Sequence, residues 1–324
     1  MVTTHALSPR ILPRSPITSL AQYLDLGGGL GLEAARRLGP DGVVEHLLAS
    51  GLRGRGGAGF PTGRKWATVR AYETTAFAPT VVVNAAEGEP GSFKDRSILR
   101  ANAYAVLEGA LIAAGAVGAD RVIVALKHSF TRERDAVARA ITEVRDANWC
   151  DGIILTWFEG PSEYLYGEET ALLEAIDERP PFPRIQPPYR YGVEEVSDNT
   201  SGEPAQVVMA AGGETIAPPT LVNNTETMAN VPGILAHGPV WFREVGTDAS
   251  PGSIVCTITG CTNRHGVAEV PMGTPLRDAI EMIGGGARPG RRLIGAMSGV
   301  ANPVIPEALL DTPLTYETMD AIGS

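Results

Sequence analysis

Four glycines fall within the six residues Gly54-Arg55-Gly56-Gly57-Ala58-Gly59, and Arg53, Arg55, Arg64 and Lys65 lie in or beside them. Glycine lacks a Cβ, so such a backbone can approach a ligand closely and its successive amides can converge on an anion. With basic side chains on both flanks the segment reads as a phosphate site; a flexible turn with solvated charges is the alternative. It formally contains GxGxxG. The dinucleotide fingerprint requires a strand before that motif, whereas the residues here pattern as helix, so a standard Rossmann loop is excluded.

Three further polar clusters could do chemistry. Asn84-Ala85-Ala86-Glu87-Gly88-Glu89-Pro90-Gly91 follows the β-branched run Val81-Val82-Val83. Its polar groups therefore lie at the carboxyl end of a strand, where ligands of open α/β sheets bind. Taken alone, Glu87 and Glu89 read as solvated loop acids. Gly167-Glu168-Glu169-Thr170 places two acids in a first helical turn, where the helix dipole stabilises them without any further role. Asn223-Asn224-Thr225-Glu226-Thr227 reads as an N-cap and first turn.

The elements that must position these clusters can be traced along the chain. After a Pro-rich arm, 30–38 and 43–48 pattern as two short helices, broken at Gly39-Pro40, with Asp41 placed to cap the second. A strand from Thr80, a helix over 97–116, a strand at 121–126, a helix over 131–147 and a strand at 152–157 follow. A further helix is expected over 165–176. Alternating strands and helices predict an α/β domain with a mostly parallel sheet. Residues 180–219 read as a long loop or insertion, and 224–235 as a helix. From Gly252 the pattern changes to strands at 253–259 and 266–270 and a helix over 276–283. That order suits a small α+β domain with its boundary near Ser250.

Composition excludes several classes. A net charge of −10 opposes nonspecific nucleic-acid binding. The longest apolar stretch, 101–119, is interrupted by Glu108 and Gly109 and falls short of the ~20 residues a spanning helix needs, so no direct membrane insertion is expected. The N-terminus lacks the apolar core of a secretory signal, and a cytoplasmic location follows, with contact to a membrane only through partners. Cys150, Cys256 and Cys261 are too few for a disulfide framework and lack CxxC spacing, so no metal site is expected.

Together the clusters form a recognisable set. Leu52 to Trp66 (LRGRGGAGFPTGRKW), Asn84 to Arg96, Tyr164 to Leu173 and Val222 to Gly233 resemble, in order and spacing, the NADH-binding flavoprotein subunit of respiratory complex I. The related subunits of NAD-dependent formate dehydrogenases and NAD-reducing hydrogenases share the module. NRHGVAEVPMGTPL at Asn263 to Leu276 is similar to the ubiquitin-like SLBB domain that follows in that family. The resemblance implies a Rossmann-like FMN-binding α/β domain and then an α+β SLBB domain: residues 1–40 an arm and helix, 41–250 the FMN/NADH-binding domain, 251–324 the SLBB domain and the start of a C-terminal region.

Carried over, the resemblance puts FMN against Gly54, Arg55, Gly56, Gly57 and Lys65, with Asn84, Tyr164, Gly167, Glu168, Asn223, Asn224 and Thr227 completing the pocket. Phe60 would offer a face to the adenine of NAD(H), and Glu89 and Glu169 would orient the nicotinamide nucleotide. The implied reaction is FMN-dependent NADH oxidation, or NAD reduction, with electrons exchanged with iron–sulfur subunits, including a thioredoxin-like ferredoxin-type partner. Departures gather on the nucleotide side. Ala86 stands where the family has an aspartate, Thr68 where an aromatic is common, Gln186 for a Lys and Tyr189 for a Phe. A non-catalytic scaffold subunit that kept the fold is the rival reading. The family's cysteine-ligated iron–sulfur region has no counterpart before Ser324. It is expected either in a longer form of this protein or in a partner, and the even resemblance up to Leu314 favours the longer form.

Overall fold

A computed structural model describes residues 9–72, 78–193 and 217–324. The α/β expectation holds. Helices α1 (Leu20–Asp25), α2 (Leu30–Ser50) and α3 (Thr62–Ala71) precede β1 (Thr80–Ala85). There follow α4 (Lys94–Val117), β2 (Arg121–Lys127), α5 (Thr131–Asp146), β3 (Ile154–Gly160), α6 (Glu169–Ile176), β4 (Thr220–Asn224), α7 (Thr225–His237) and α8 (Pro239–Arg243). The four strands form one sheet in the order β3-β2-β1-β4, all neighbours parallel.

Alternation along the strands separates two apolar layers, because successive side chains leave a strand on opposite faces. Val81, Val83, Val122, Val124 and Leu126 enter the large core shared with α2, α4, α5 and α7. Val82, Ile123, Ala125 and Val222 face the smaller cluster under α6, with Tyr166, Leu172 and Leu173. The sheet is thus buried on both sides, as parallel sheets require. Helix α4 is long and apolar enough to cross a membrane, but 83% of its most apolar window is buried inside the fold.

The chain runs β1, β2, β3 outward to one edge and then returns to place β4 on the other side of β1. The β1/β4 boundary is therefore the topological switch point, and the crevice at its carboxyl end is the favoured ligand site of such sheets.

The second unit pairs β5 (Ser253–Ile258) with β6 (Gly266–Pro271) in antiparallel register. Helix α9 (Leu276–Gly284), the two-residue pair β7 (Gly295–Ala296) and β8 (Ile305–Pro306), and the short helix α10 (Tyr316–Ala321) complete it. Leu276, Ile280, Ile305 and Leu310 form its own core.

Several expectations need correction. Gly39 breaks α2 with φ 68°, a conformation open to glycine, but Asp41 does not cap the second half; its carboxylate reaches Arg70 at 2.5 Å. Helix α4 starts a turn earlier than expected and changes direction at Asn102, whose Oδ1 accepts the Ala105 amide at 3.1 Å. The continuous helix expected over 165–176 is a 3-10 turn at Leu165–Gly167 and then α6, separated by the extended Glu168. Strand β4 has no counterpart among the expected elements. Part of the long loop expected over 180–219, residues 194–216, lies outside the described residues.

Candidate functional site

The glycine segment joins α2 to α3 and closes on itself. Gly54 N donates to Phe60 O at 2.9 Å, and Arg53 bridges to Pro61 in antiparallel fashion. The loop lies against the carboxyl end of β4: Arg55 N donates to Thr227 Oγ1 at 2.9 Å, and a Cβ on Gly56 would lie 3.2 Å from Cβ of Asn224. Among the described residues nothing accepts from the amides of Gly56, Gly57 or Ala58, and all three residues are exposed. A Cβ on Gly57 would meet nothing within 4 Å. An open run of unpartnered amides is the donor set that a phosphate dianion requires.

The basic residues divide. Arg55 is engaged by the second unit, donating through Nη1 to Tyr316 Oη at 2.8 Å and through Nη2 to Pro251 O at 3.1 Å. Arg53 donates to Gly59 O at 2.6 Å and stacks on the Tyr316 ring, 4.1 Å from its centroid. The expectation that both add charge to a ligand pocket is thus corrected for their side chains. Lys65 remains on the site side of α3, and its Nζ lies 2.5 Å from Glu169 Oε1. Arg64 sits 5.9 Å from the ring of Phe60, which is half exposed.

The two strands of the switch point bring three asparagines together. Asn84 of β1 stands in register with Asn224 of β4. Asn84 Nδ2 donates to Gly167 O at 2.9 Å, tying the turn before α6 to the sheet. Asn223 Oδ1 accepts from the buried Trp66 Nε1 at 2.8 Å, which fixes α3. Asn224 caps α7, accepting the Glu226 amide. Glu168 caps α6, its Oε2 taking the amides of Thr170 and Ala171 and the Thr170 hydroxyl. That oxygen is spoken for, so a pocket role for Glu168 is reduced to its second oxygen.

Beyond β1, the two loop acids part company. Glu87 is not a solvated acid: its side chain is 3% exposed and pairs with Arg96 at 3.0 Å. Burial acts to raise its carboxyl, but the Ser92 hydroxyl and the Arg96 guanidinium outweigh this and hold it below the ordinary value. Glu89 accepts from Tyr164 Oη at 2.8 Å and from Val300 N at 2.6 Å, so a loop of the second unit reaches the site. Ala86 packs with Tyr166 and Leu172 in the apolar layer.

Under the crevice lies a buried ion cluster centred on Lys94 and Asp95, which the sequence does not single out. Lys94 Nζ donates to Asp95 at 2.8 Å and Asn224 Oδ1 at 3.1 Å, and lies 3.0 Å from Glu226 Oε2. Asn224 Nδ2 donates to Asp95 at 2.7 Å, and Glu226 Oε1 takes the Val255 amide of β5 at 2.8 Å. Two carboxylates share one ammonium; burial pushes the Asp95 carboxyl up to about 6. The one signal for it in the sequence is Lys94-Asp95-Arg96 directly after the Glu-Gly-Glu-Pro turn. Burial also pushes the nearby Cys256 thiol up to about 12, which excludes a thiolate there at neutral pH.

The crevice thus gathers Gly54, Arg55, Gly56, Gly57, Lys65, Asn84, Gly167, Glu168, Glu169, Asn223, Asn224 and Thr227 through the contacts above. Tyr164 and Glu89 stand at its β1 end, and Phe60 at its open rim. Free amides and one ammonium suit a phosphate; asparagine and threonine groups suit the polar edge of a heteroaromatic ring.

Comparison with known proteins agrees with this chemistry. Residues 47–233 match the Nuo51 FMN-binding domain family, and residues 255–306 match the SLBB domain. A subunit of an NADH-quinone oxidoreductase of Rhizobium meliloti is 35% identical over 320 residues, spanning 95% of this chain and 71% of the relative. The corresponding NADH-quinone oxidoreductase subunit of Streptomyces coelicolor is 36% identical over 303 residues, spanning 91% of this chain and 62% of the relative. A chain of an NAD+-reducing NiFe-hydrogenase in its H2-reduced state superposes with a TM-score of 0.75 at 30% identity, over 93% of this chain and 49% of that one. The chain therefore spans about half to seven tenths of the length of these relatives.

Proposed function

The chain belongs to the family of the Nuo51 FMN-binding domain, and from that premise we propose that it is the FMN- and NAD(H)-binding subunit of a multi-subunit redox complex, oxidising NADH or reducing NAD. The observation that carries this reading is the run of exposed amides at Gly56, Gly57 and Ala58, unpartnered among the described residues, beside Lys65 at the β1/β4 switch point. FMN, when bound, supplies the hydride chemistry with the nicotinamide and the single-electron steps toward iron–sulfur partners.

The protein's own share is binding and orientation. The glycine amides and Lys65 hold the phosphate, and Asn84, Asn223, Asn224 and Thr227 hold polar atoms of the ribityl chain and ring edge. Phe60 offers its face to the adenine. Glu89 and Glu169 orient the nicotinamide nucleotide, and no protein acid or base need transfer a proton. Orientation of this kind supplies much of an enzyme's rate. Redox partners carrying iron–sulfur clusters, among them a thioredoxin-like ferredoxin-type subunit, and a cytoplasmic location complete the proposal.

A second reading, a scaffold subunit without nucleotide chemistry, draws on Ala86 in the apolar layer and on Glu89 already bonded to Val300. One experiment separates the two. Flavin released by acid from the purified protein is expected to be FMN, and FMN is expected to bleach on addition of NADH. Glu89→Gln and Glu169→Gln should keep FMN but need roughly a few-fold to tenfold more NADH for the same bleaching, the cost of one hydrogen bond. Recovery of FAD alone, or of no flavin, defeats the FMN assignment. Unaltered NADH dependence in both variants returns the two acids to a structural role, and FMN that does not bleach with NADH favours the scaffold.

A further inference from the structure

The Gly54–Arg55 peptide group is held at both ends by side chains far apart in sequence. Its N–H, on Arg55, donates to Thr227 Oγ1 at 2.9 Å; its C=O, on Gly54, accepts from Tyr316 Oη at 2.8 Å. A peptide plane gripped through both polar atoms cannot flip. The open amides of Gly56, Gly57 and Ala58 follow directly from it, so the run starts from a fixed plane. Thr227 lies within the residues that match the FMN-binding domain; Tyr316 lies 83 residues beyond their end at 233.

Tyr316 does more than grip one carbonyl. Its hydroxyl takes Arg55 Nη1 at 2.8 Å, and its ring carries the Arg53 guanidinium at 4.1 Å, so one side chain engages two arginines of the loop. The ring also packs against Gly59 so closely that a Cβ there would lie 2.4 Å from it, at a residue with φ 62°. Its own backbone is docked: Tyr316 N donates to Ser250 Oγ at 3.2 Å, and Ser250 Oγ donates to Glu317 Oε2 at 2.6 Å.

We propose that Tyr316 is a positioning residue for the flavin phosphate, a latch through which α10 holds the glycine loop in its binding form. The inference rests on the FMN reading above and deepens it. It assigns part of the cofactor affinity to a residue outside the domain that contacts the cofactor.

The test uses the 324-residue chain with FMN as titrant, following quenching of flavin fluorescence, alongside hydrogen exchange of the peptide covering residues 53–60. Tyr316→Phe keeps the ring and removes both hydroxyl bonds. It should raise the FMN dissociation constant by roughly threefold to tenfold and speed exchange of the bonded Gly54 and Arg55 amides. Arg277→Ala, which breaks an exposed ion pair with Asp311 in the same unit, should change neither. Unchanged affinity and exchange in Tyr316→Phe overturn the latch, as do equal losses in Tyr316→Phe and Arg277→Ala, which mark general loosening. Failure of the wild-type chain to bind FMN defeats the functional reading and the latch together, whereas wild-type binding matched by Tyr316→Phe defeats the latch alone.

Discussion

Lys65 and Glu169 neutralise one another across the crevice at 2.5 Å, so changes at the two should differ in sign. Lys65→Ala removes the point charge on the phosphate and should weaken FMN roughly tenfold, about the worth of a charge-assisted bond. Glu169→Gln frees Lys65 from a competing carboxylate and should leave FMN binding intact or tighter; equilibrium dialysis of both variants distinguishes the cases. At Asp95 the sign concerns pH. Its carboxyl sits near 6 when folded against 3.8 as its ordinary value, because burial outweighs Lys94 while Glu87 and Glu226 add like charge. The folded form thus holds a proton that the unfolded form has lost. That contribution to stability is complete below 3.8 and is lost as pH rises through about 6. Asp95→Asn should flatten the melting temperature profile across this window. Residue types and spacing make the glycine loop, Lys65 and the asparagines legible in the sequence. The burial of Glu87 and Asp95 is not legible there, because a charged residue after a turn looks the same whether it is solvated or buried until its partners, Arg96 and Lys94, are placed.

At the scale of elements, the long apolar regions are legible and the short ones are not. Strands β1 and β2 are continuous apolar runs, α4 is a long apolar stretch and α5 buries one regular face, so each is long enough to be read. Strand β4 has only Leu221 and Val222 as apolar residues before Asn223, too short a run to carry a period, yet its place beside β1 creates the switch point. The break in α4 is also hidden, since Asn102 sits within an alanine-rich run. Its side chain caps the second half of that helix at Ala105 N. Asn102→Ala should therefore lower stability by about 1 kcal/mol, the usual worth of such a cap, measured by urea unfolding with an unchanged slope.

The whole molecule is tied together at its second unit. Glu269 of β6 takes the amides of Arg10, Ile11 and Leu12 on one oxygen, at 2.9, 2.8 and 3.1 Å, and the Ser253 hydroxyl on the other. The arm is thereby bound to a strand some 258 residues away. Glu269→Gln keeps the shape and removes the charge; it should cost about 1 kcal/mol and expose Arg10 and Arg14 to faster tryptic cleavage. The simplest role of a small α+β unit beside a larger one is to pack against it. The Val300 contact to Glu89 and the Pro251 and Tyr316 contacts to Arg55 argue otherwise. No local pattern announces them, because each joins residues with no shared period or motif.

The Arg55 to Tyr316 bond spans 261 residues, which sets an order of events during synthesis. At about 5–20 residues per second, roughly 13–52 s separate the appearance of the glycine loop from that of the side chain that pins it. Throughout that interval the nascent chain carries a loop gripped by Thr227 at most, and an arm whose anchor at Glu269 arrives almost as late. Full flavin affinity is therefore expected late in synthesis: pulse-labelled chains should hold FMN roughly threefold to tenfold more tightly once residue 316 has emerged, however early the sheet itself has formed.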